Sequence, residues 1–322
     1  MQSLKVVTPA SRKPFNISGA GRILMTMGLA FVGLRLWDYR HSLVGQVANP
    51  TVLLATLLLA IIYGCSGFLL AFGWWLILRG GEKRSAGLRW KVAWPIYGKT
   101  QIAKYIPGNI FHFAGRHVLA AKQGVSHSLL VAAATIEIVM LLLASGFISL
   151  LAVEDLSLAK LQIKPDEARL ALMAFVCVAV ATLIVAFRRS AMQKLIVSIQ
   201  WQPLFVAQLC YFLFSILSAV LFFGLTSITT GTLDQTVAHW RLIVGGYSFA
   251  WAGGLLAPGA PAGLGVREAI LIALLSRALH EQPVLIAAVL FRLVTTLGDN
   301  LFFLQAILFG LLQRTTPENN EI

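Results

Sequence analysis

Residues 51–78, TVLLATLLLAIIYGCSGFLLAFGWWLIL, run without a single charge. About 20 apolar residues in a helix cross the hydrocarbon of a bilayer, where every backbone donor and acceptor must be paired inside the segment. One such run already commits the chain to an all-α membrane fold. Similar runs at about 22–38, 128–153, 168–187, 203–226 and 284–312 bring the expected number of full spans to six. The rest of the chain offers no polar surface to contradict this. Of its 322 residues 58% are hydrophobic and only 12% charged, with a mean hydropathy of +0.79. A soluble protein of that length needs far more polar area.

Charge orients the spans. The net charge of +13 has no basic soluble domain to carry it, which argues against nucleic acid as a partner. Its lysines and arginines gather instead in the tail (Lys5, Arg12, Lys13, Arg22), in the 79–91 loop (Arg79, Lys83, Arg84, Arg89, Lys91) and in the 188–194 loop (Arg188, Arg189, Lys194). The segment 154–167 holds four acids against two lysines, and 227–237 has only Asp234. By the positive-inside rule the first three segments are cytosolic and the last two lie on the far side, so both termini fall in the cytosol of an inner-membrane protein. Residues 1–21 read as a cytosolic basic tail ahead of an uncleaved anchor, 22–313 as one transmembrane domain, and 314–322 as a second cytosolic tail. Cys65, Cys177 and Cys210 lie in apolar stretches without metal spacing.

Two apolar intervals, 90–124 and 239–281, are interrupted. The first carries Lys104-Tyr-Ile-Pro107-Gly108, then Asn109 to Ala114, then Gly115-Arg116. The second carries Ala-Pro258-Gly259, then a stretch with Gly263, then Gly265-Val-Arg267-Glu268. Proline withholds a backbone donor and glycine accepts a sharp turn, so each interval predicts a re-entrant or broken-helix hairpin; eight thin spans are the alternative. Each break follows a charge-free span and precedes a span with a charge in it, Glu137 or Arg292. The chain enters the first break from the cytosol and the second from outside. Residues of about 51–153 and 203–312 thus read as an inverted-topology repeat, a design that brings discontinuous helices together near the midplane. Helix N-termini after the breaks, with Arg116 and Arg267, suit an anion; interfacial loops whose arginines touch headgroups would read alike.

KYIPGNIFHFAGR at 104–116, PAGLGVREAILIALL at 261–275 and LFRLVTTLGD at 290–299 resemble the flippase-like membrane domain family, which includes the transmembrane region of lysylphosphatidylglycerol synthases. The resemblance extends over roughly 50–312. It implies movement of a lipid between leaflets, with a phospholipid or polyprenyl-linked lipid as partner. The synthases' soluble aminoacyl-transferase domain has no counterpart in the few residues after the last span, so the resemblance implies transport rather than lipid aminoacylation. After the first Pro-Gly the family has a glycine-rich run with an acidic residue. Here that run is Asn109-Ile110-Phe111-His112-Phe113, a departure that bears on the substrate.

The intramembrane charges complete the expected site. Glu137 sits near mid-span, where a bare carboxylate would cost several kcal/mol, so it should be protonated or paired, with Arg116 and Arg292 as candidates. Arg292 and Asp299 share a helix face two turns apart. Arg267 is the better candidate for an anionic ligand, and Glu268 for pairing with Arg292 or gating a cation. Lys104 either snorkels to phosphates or faces inward, and His112 is a candidate for a headgroup hydrogen bond or a proton step. His112 and His117 are five apart, a poor metal spacing, so no metal and no cofactor is expected. Trp37, Trp74, Trp75, Trp90, Trp94 and Trp240 read as an interfacial belt. The leading function is a transporter of an anionic lipid or lipid-linked headgroup through a cationic groove. Substrate contacts are expected at Lys104, Asn109, His112, Arg116, Glu137, Arg267, Glu268 and Arg292, and hinges at Pro107, Gly108, Gly115, Pro258, Gly259, Gly263 and Gly265. A membrane transferase acting on a lipid carrier and a small-solute transporter are the alternatives; a homo-oligomer or a biosynthetic enzyme partner is compatible with each.

Overall fold

The computed structural model describes residues 34, 37, 40–81, 88–106, 110–152, 200–231, 233–257 and 260–315. The expected spans at 22–38 and 168–187, and Pro107, Gly108, Asn109, Pro258 and Gly259, lie almost wholly or wholly outside them. Every element among the described residues is helical: α1 (Arg40–Ala48), α2 (Pro50–Gly81), α3 (Trp90–Gln101), α4 (Phe111–Ala121), α5 (His127–Ser149), α6 (Trp201–Thr230), α7 (Leu233–Ala238), α8 (Trp240–Leu256), α9 (Val266–Leu279) and α10 (Glu281–Thr315). Short 3-10 turns occupy Ile102–Tyr105, Leu150–Ala152 and Pro261–Gly263.

Four stretches, Pro50–Gly81, His127–Ala152, Trp201–Thr230 and Glu281–Gln313, are long and apolar enough to cross a membrane. They match the expected runs at 51–78, 128–153, 203–226 and 284–312. The two interrupted intervals contain shorter helices. α3 has 12 residues, α4 has 11, α8 has 17 and α9 has 14. None of these reaches the ~20 residues that a full crossing takes.

A long helix, a short helix, a 3-10 turn, a short helix and a long helix follow one another twice, first as α2 to α5 and again, with α7 interposed, as α6 to α10. The corresponding helices α2 and α6 run in opposite directions. Gln200, before α6, donates to the carbonyl of Gly80 at the end of α2 (3.1 Å), and Gln46, before α2, reaches Thr229 at the end of α6 (3.5 Å). α2 and α10 run the same way, with Gly64 against Gly298 and Gly67 against Phe302. α5 and α6 do likewise, with Met140 against Gln208 and Phe147 against Phe212.

Small residues permit the closest crossing. A Cβ on Gly64 would stand 2.9 Å from the Gly298 carbonyl oxygen, and one on Gly298 would stand 2.8 Å from that of Ala60. In lipid, where apolar contact offers little drive between helices, such close backbone approach carries the association. Around it the core is aromatic. Tyr63 packs on Phe214 and Phe291, and Phe222, Tyr247 and Phe291 pack on one another. Trp74 and Trp94 belong to this interior and not to an interfacial belt. Trp74 is buried against Tyr97, and Trp94 against Phe68, Phe302 and Phe309. Their positions in apolar runs looked alike from the sequence; only packing separates a core indole from a belt indole. Trp37 and Trp240 are exposed.

Candidate functional site: a charged cavity between the interrupted helices

Both interrupted segments converge on one cavity of about 60 Å³. The first segment contributes Tyr97, Gln101, Lys104, Tyr105, His112 and Arg116, and the second Trp251, Ala262 and Arg267; Glu137 and Arg292 come from the following long helices.

Three ion pairs surround it. The first lies within one set of helices. Arg116 on α4 donates to Oε2 of Glu137 on α5 (2.6 Å), and the hydroxyl of Tyr97 on α3 donates to Oε1 (2.6 Å). The guanidinium also lies 3.7 Å from the Tyr97 ring centroid. Arg116 and Glu137 retain only 3% and 1% exposure, so each charge depends on the other.

The second pair mirrors the first in the other set, with its signs exchanged. Glu268 on α9 accepts from Nε of Arg292 on α10 (2.6 Å). Its other oxygen accepts from the backbone N–H of Gly265 (2.7 Å), closing the first turn of α9. Gly265 caps that helix at φ 84°, and Gly263 sits at φ 72°, conformations that disfavour a Cβ. Arg292 also donates to the carbonyl of Ala262 in the 3-10 turn (2.9 Å).

The third pair joins the two sets. Lys104 meets Oδ2 of Asp299 on α10 (2.7 Å), and the Tyr105 hydroxyl donates to the same oxygen (2.5 Å). Asp299 thus pairs with the other set of helices and not with Arg292, two turns before it on α10.

Among the described residues no carboxylate pairs with Arg267. Its guanidinium lies 5.3 Å from the Trp251 ring centroid, and its buried Nε has no hydrogen-bond partner. Its side chain passes over Gly254 of α8, where a Cβ would come within 2.5 Å of it. Among the described residues the three buried carboxylates Glu137, Glu268 and Asp299 therefore stand against four cations, Lys104, Arg116, Arg267 and Arg292. An unmatched cation at such depth costs several kcal/mol, and an anionic ligand would offset it.

The expected site residues are thus sorted by the fold. Lys104, His112, Arg116, Glu137, Arg267 and Arg292 line the cavity, and Glu268 stands behind Arg292. Asn109 lies outside the described residues. Gly115 does not lie at the break: α4 begins at Phe111, and Gly115 lies inside the helix, where a Cβ would stand 3.2 Å from Thr100 Cγ2. It permits α4 to close on α3. His117 turns away from His112 and meets His127, Nε2 to Nδ1 at 2.7 Å, with the rings stacked. Partial burial and the neighbouring imidazole hold His117 below the ordinary histidine range. Among the described residues no three metal-ligating side chains cluster.

Tyr97, Gln101, Tyr105, Trp251 and Gly254 escaped the sequence reading. Tyrosine, tryptophan and glycine are ordinary in apolar helices, and Gln101 stands one turn before the break with nothing to distinguish it from a helix-end amide. Asp299 carried a signal, a carboxylate two turns from a buried arginine, but its partner on the first segment was not legible. Compared with protein-family models and with curated proteins, the chain matches none.

Proposed function

We propose that this chain is an integral membrane protein of the inner membrane that passes the anionic headgroup of a lipid between leaflets while the tails stay in the bilayer. The observation that carries the reading is Arg267, a cation at the cavity with no carboxylate partner among the described residues, which give the site one more positive charge than negative. The repeated order of helices supports it. The opposed directions of α2 and α6 are what an inverted-topology repeat requires, and the short helices on either side of each break have the lengths of re-entrant hairpins. The motifs that resemble the flippase-like family contribute Lys104, Arg116, Arg267 and Arg292 to the one cavity. On this reading both termini face the cytosol, and crossing requires the two sets to part where Lys104 and Tyr105 hold Asp299.

Flipping a headgroup unaided is slow because its charge must be desolvated. A buried cavity that already holds an unmatched cation lowers that cost. The test is leaflet exchange of a tail-labelled anionic phospholipid in proteoliposomes. The full chain should accelerate exchange over protein-free vesicles, and Arg267→Gln should reduce it to the background. Exchange no faster than in protein-free vesicles would overturn the reading.

A further inference from the structure

The cavity holds more than an excess positive charge. Several of its polar atoms are buried without partners: Nε of Arg267, Nη2 of Arg292, Nε of Arg116, Oε1 of Gln101 and Nδ1 of His112. Gln101 and His112 are each more than nine-tenths buried. Buried polar groups in native proteins are nearly always satisfied, so five open positions around one cavity describe the complement of a ligand. They come in two kinds. Arg267 and Arg292, from the second set, and Arg116, from the first, supply positively charged donors. Gln101 and His112, from the first set, supply neutral groups.

Charge limits what can occupy this space. Counting His112 as the neutral imidazole, four cations stand against three carboxylates, and one negative charge brings the site to neutrality. A group with two negative charges would leave an excess in the other direction. A headgroup ammonium would add a fifth cation to the four already there, and no unpaired carboxylate among the described residues lines the cavity to receive it. The neutral pair instead suits hydroxyls, which donate and accept equally well.

Building on the function proposed above, we infer that the site selects a singly negative phosphodiester bearing hydroxyls and no ammonium group. The phosphate lies against Arg267 and the open side of Arg292, and the hydroxyls lie against Gln101 and His112. That ligand is the headgroup of a polyol phospholipid or its free, deacylated counterpart.

Proteoliposomes containing the full chain and tail-labelled lipids with identical acyl chains distinguish the outcomes. Phosphatidylglycerol should exchange about tenfold faster than its aminoacylated form or phosphatidylethanolamine. Gln101→Leu should narrow that ratio, and Arg267→Lys should retain exchange that Arg267→Gln loses. If the ammonium-bearing lipids exchange as fast as phosphatidylglycerol while Arg267→Gln stops them all, the selectivity is wrong although the carrier reading stands. The second arm uses the purified protein with soluble glycerophosphoglycerol or glycerophosphoethanolamine. The former alone should raise the melting temperature of the wild type, and it should have no effect on Arg267→Gln. If it does so while no lipid exchanges, the ligand chemistry stands, its source is a free solute, and the lipid reading falls. If neither exchange nor stabilisation is seen, both fall.

Discussion

Glu137 illustrates what a charge in the middle of an apolar helix requires of its neighbours. Its two oxygens are taken by Arg116 and Tyr97, which reach it from two other helices. Removing the carboxylate leaves Arg116 buried and unpaired, whereas removing the tyrosine hydroxyl leaves the ion pair intact. Glu137→Ala should therefore cost about 3–5 kcal/mol. Tyr97→Phe should cost about 1.5–3 kcal/mol, the value of a hydrogen bond to a charged acceptor. Thermal unfolding of the two variants in one detergent checks the order, and equal losses would mean that the pair contributes no more than its hydroxyl contact. The same scale explains the limits of the sequence reading. A buried carboxylate announces that a cation is near, but Arg116 and Arg292 were equal candidates by type and depth. Only the fold put Arg116 beside Glu137 and Glu268 beside Arg292.

Among the elements, α8 and α9 show how a site depends on a glycine that carries no chemistry. Gly254 lets the Arg267 side chain and the Pro261–Gly263 turn close onto α8; a Cβ on Gly263 would itself lie 2.6 Å from the Gly254 Cα. A leucine at 254 must push Arg267 off Trp251. Gly254→Leu should abolish lipid exchange as fully as Arg267→Gln, while Gly224→Leu, where a Cβ meets nothing within 4 Å, should leave exchange near wild type. Equal behaviour of the two glycine variants in the exchange assay would contradict this placement of Arg267. The interruptions themselves were legible, because proline and glycine constrain the chain locally. Where α4 begins was not: Gly115 resembled a hinge in the sequence, yet the helix starts four residues earlier and uses Gly115 for close packing on Thr100.

For the whole molecule, the contact of Lys104 and Tyr105 with Asp299 is, among the described residues, the ion pair that ties the first set of helices to the second. The other two pairs each stay within one set. If crossing requires the sets to separate, fastening this contact must stop it while leaving each half intact. A Lys104→Cys, Asp299→Cys protein also removes one charge of each sign, so the excess of one positive charge persists. Treating it with a short, cleavable bifunctional thiol reagent should reduce exchange about tenfold or more, and cleaving the reagent should restore it. Unchanged exchange after complete crosslinking would show that the sets do not part at this point.

The sequence by itself determined that the chain is helical and built for a bilayer, where its four described long helices lie and where the two interruptions fall, because these follow from local properties: apolar length, absent charge, and the conformational limits of proline and glycine. It also supplied most of the charged residues around the cavity, since ionised side chains at membrane depth are costly enough to stand out. The tertiary structure alone decided the pairing. Which cation meets which carboxylate depends on contacts between helices far apart in the chain, and so does the outcome that leaves Arg267 with none among the described residues. Tyr105 and Asp299 stand 194 positions apart in the sequence and lie on different elements, yet Tyr105 and Lys104 meet on one oxygen of Asp299. Local patterns carry no record of such a meeting; it arises from the small residues that set how closely the helices cross.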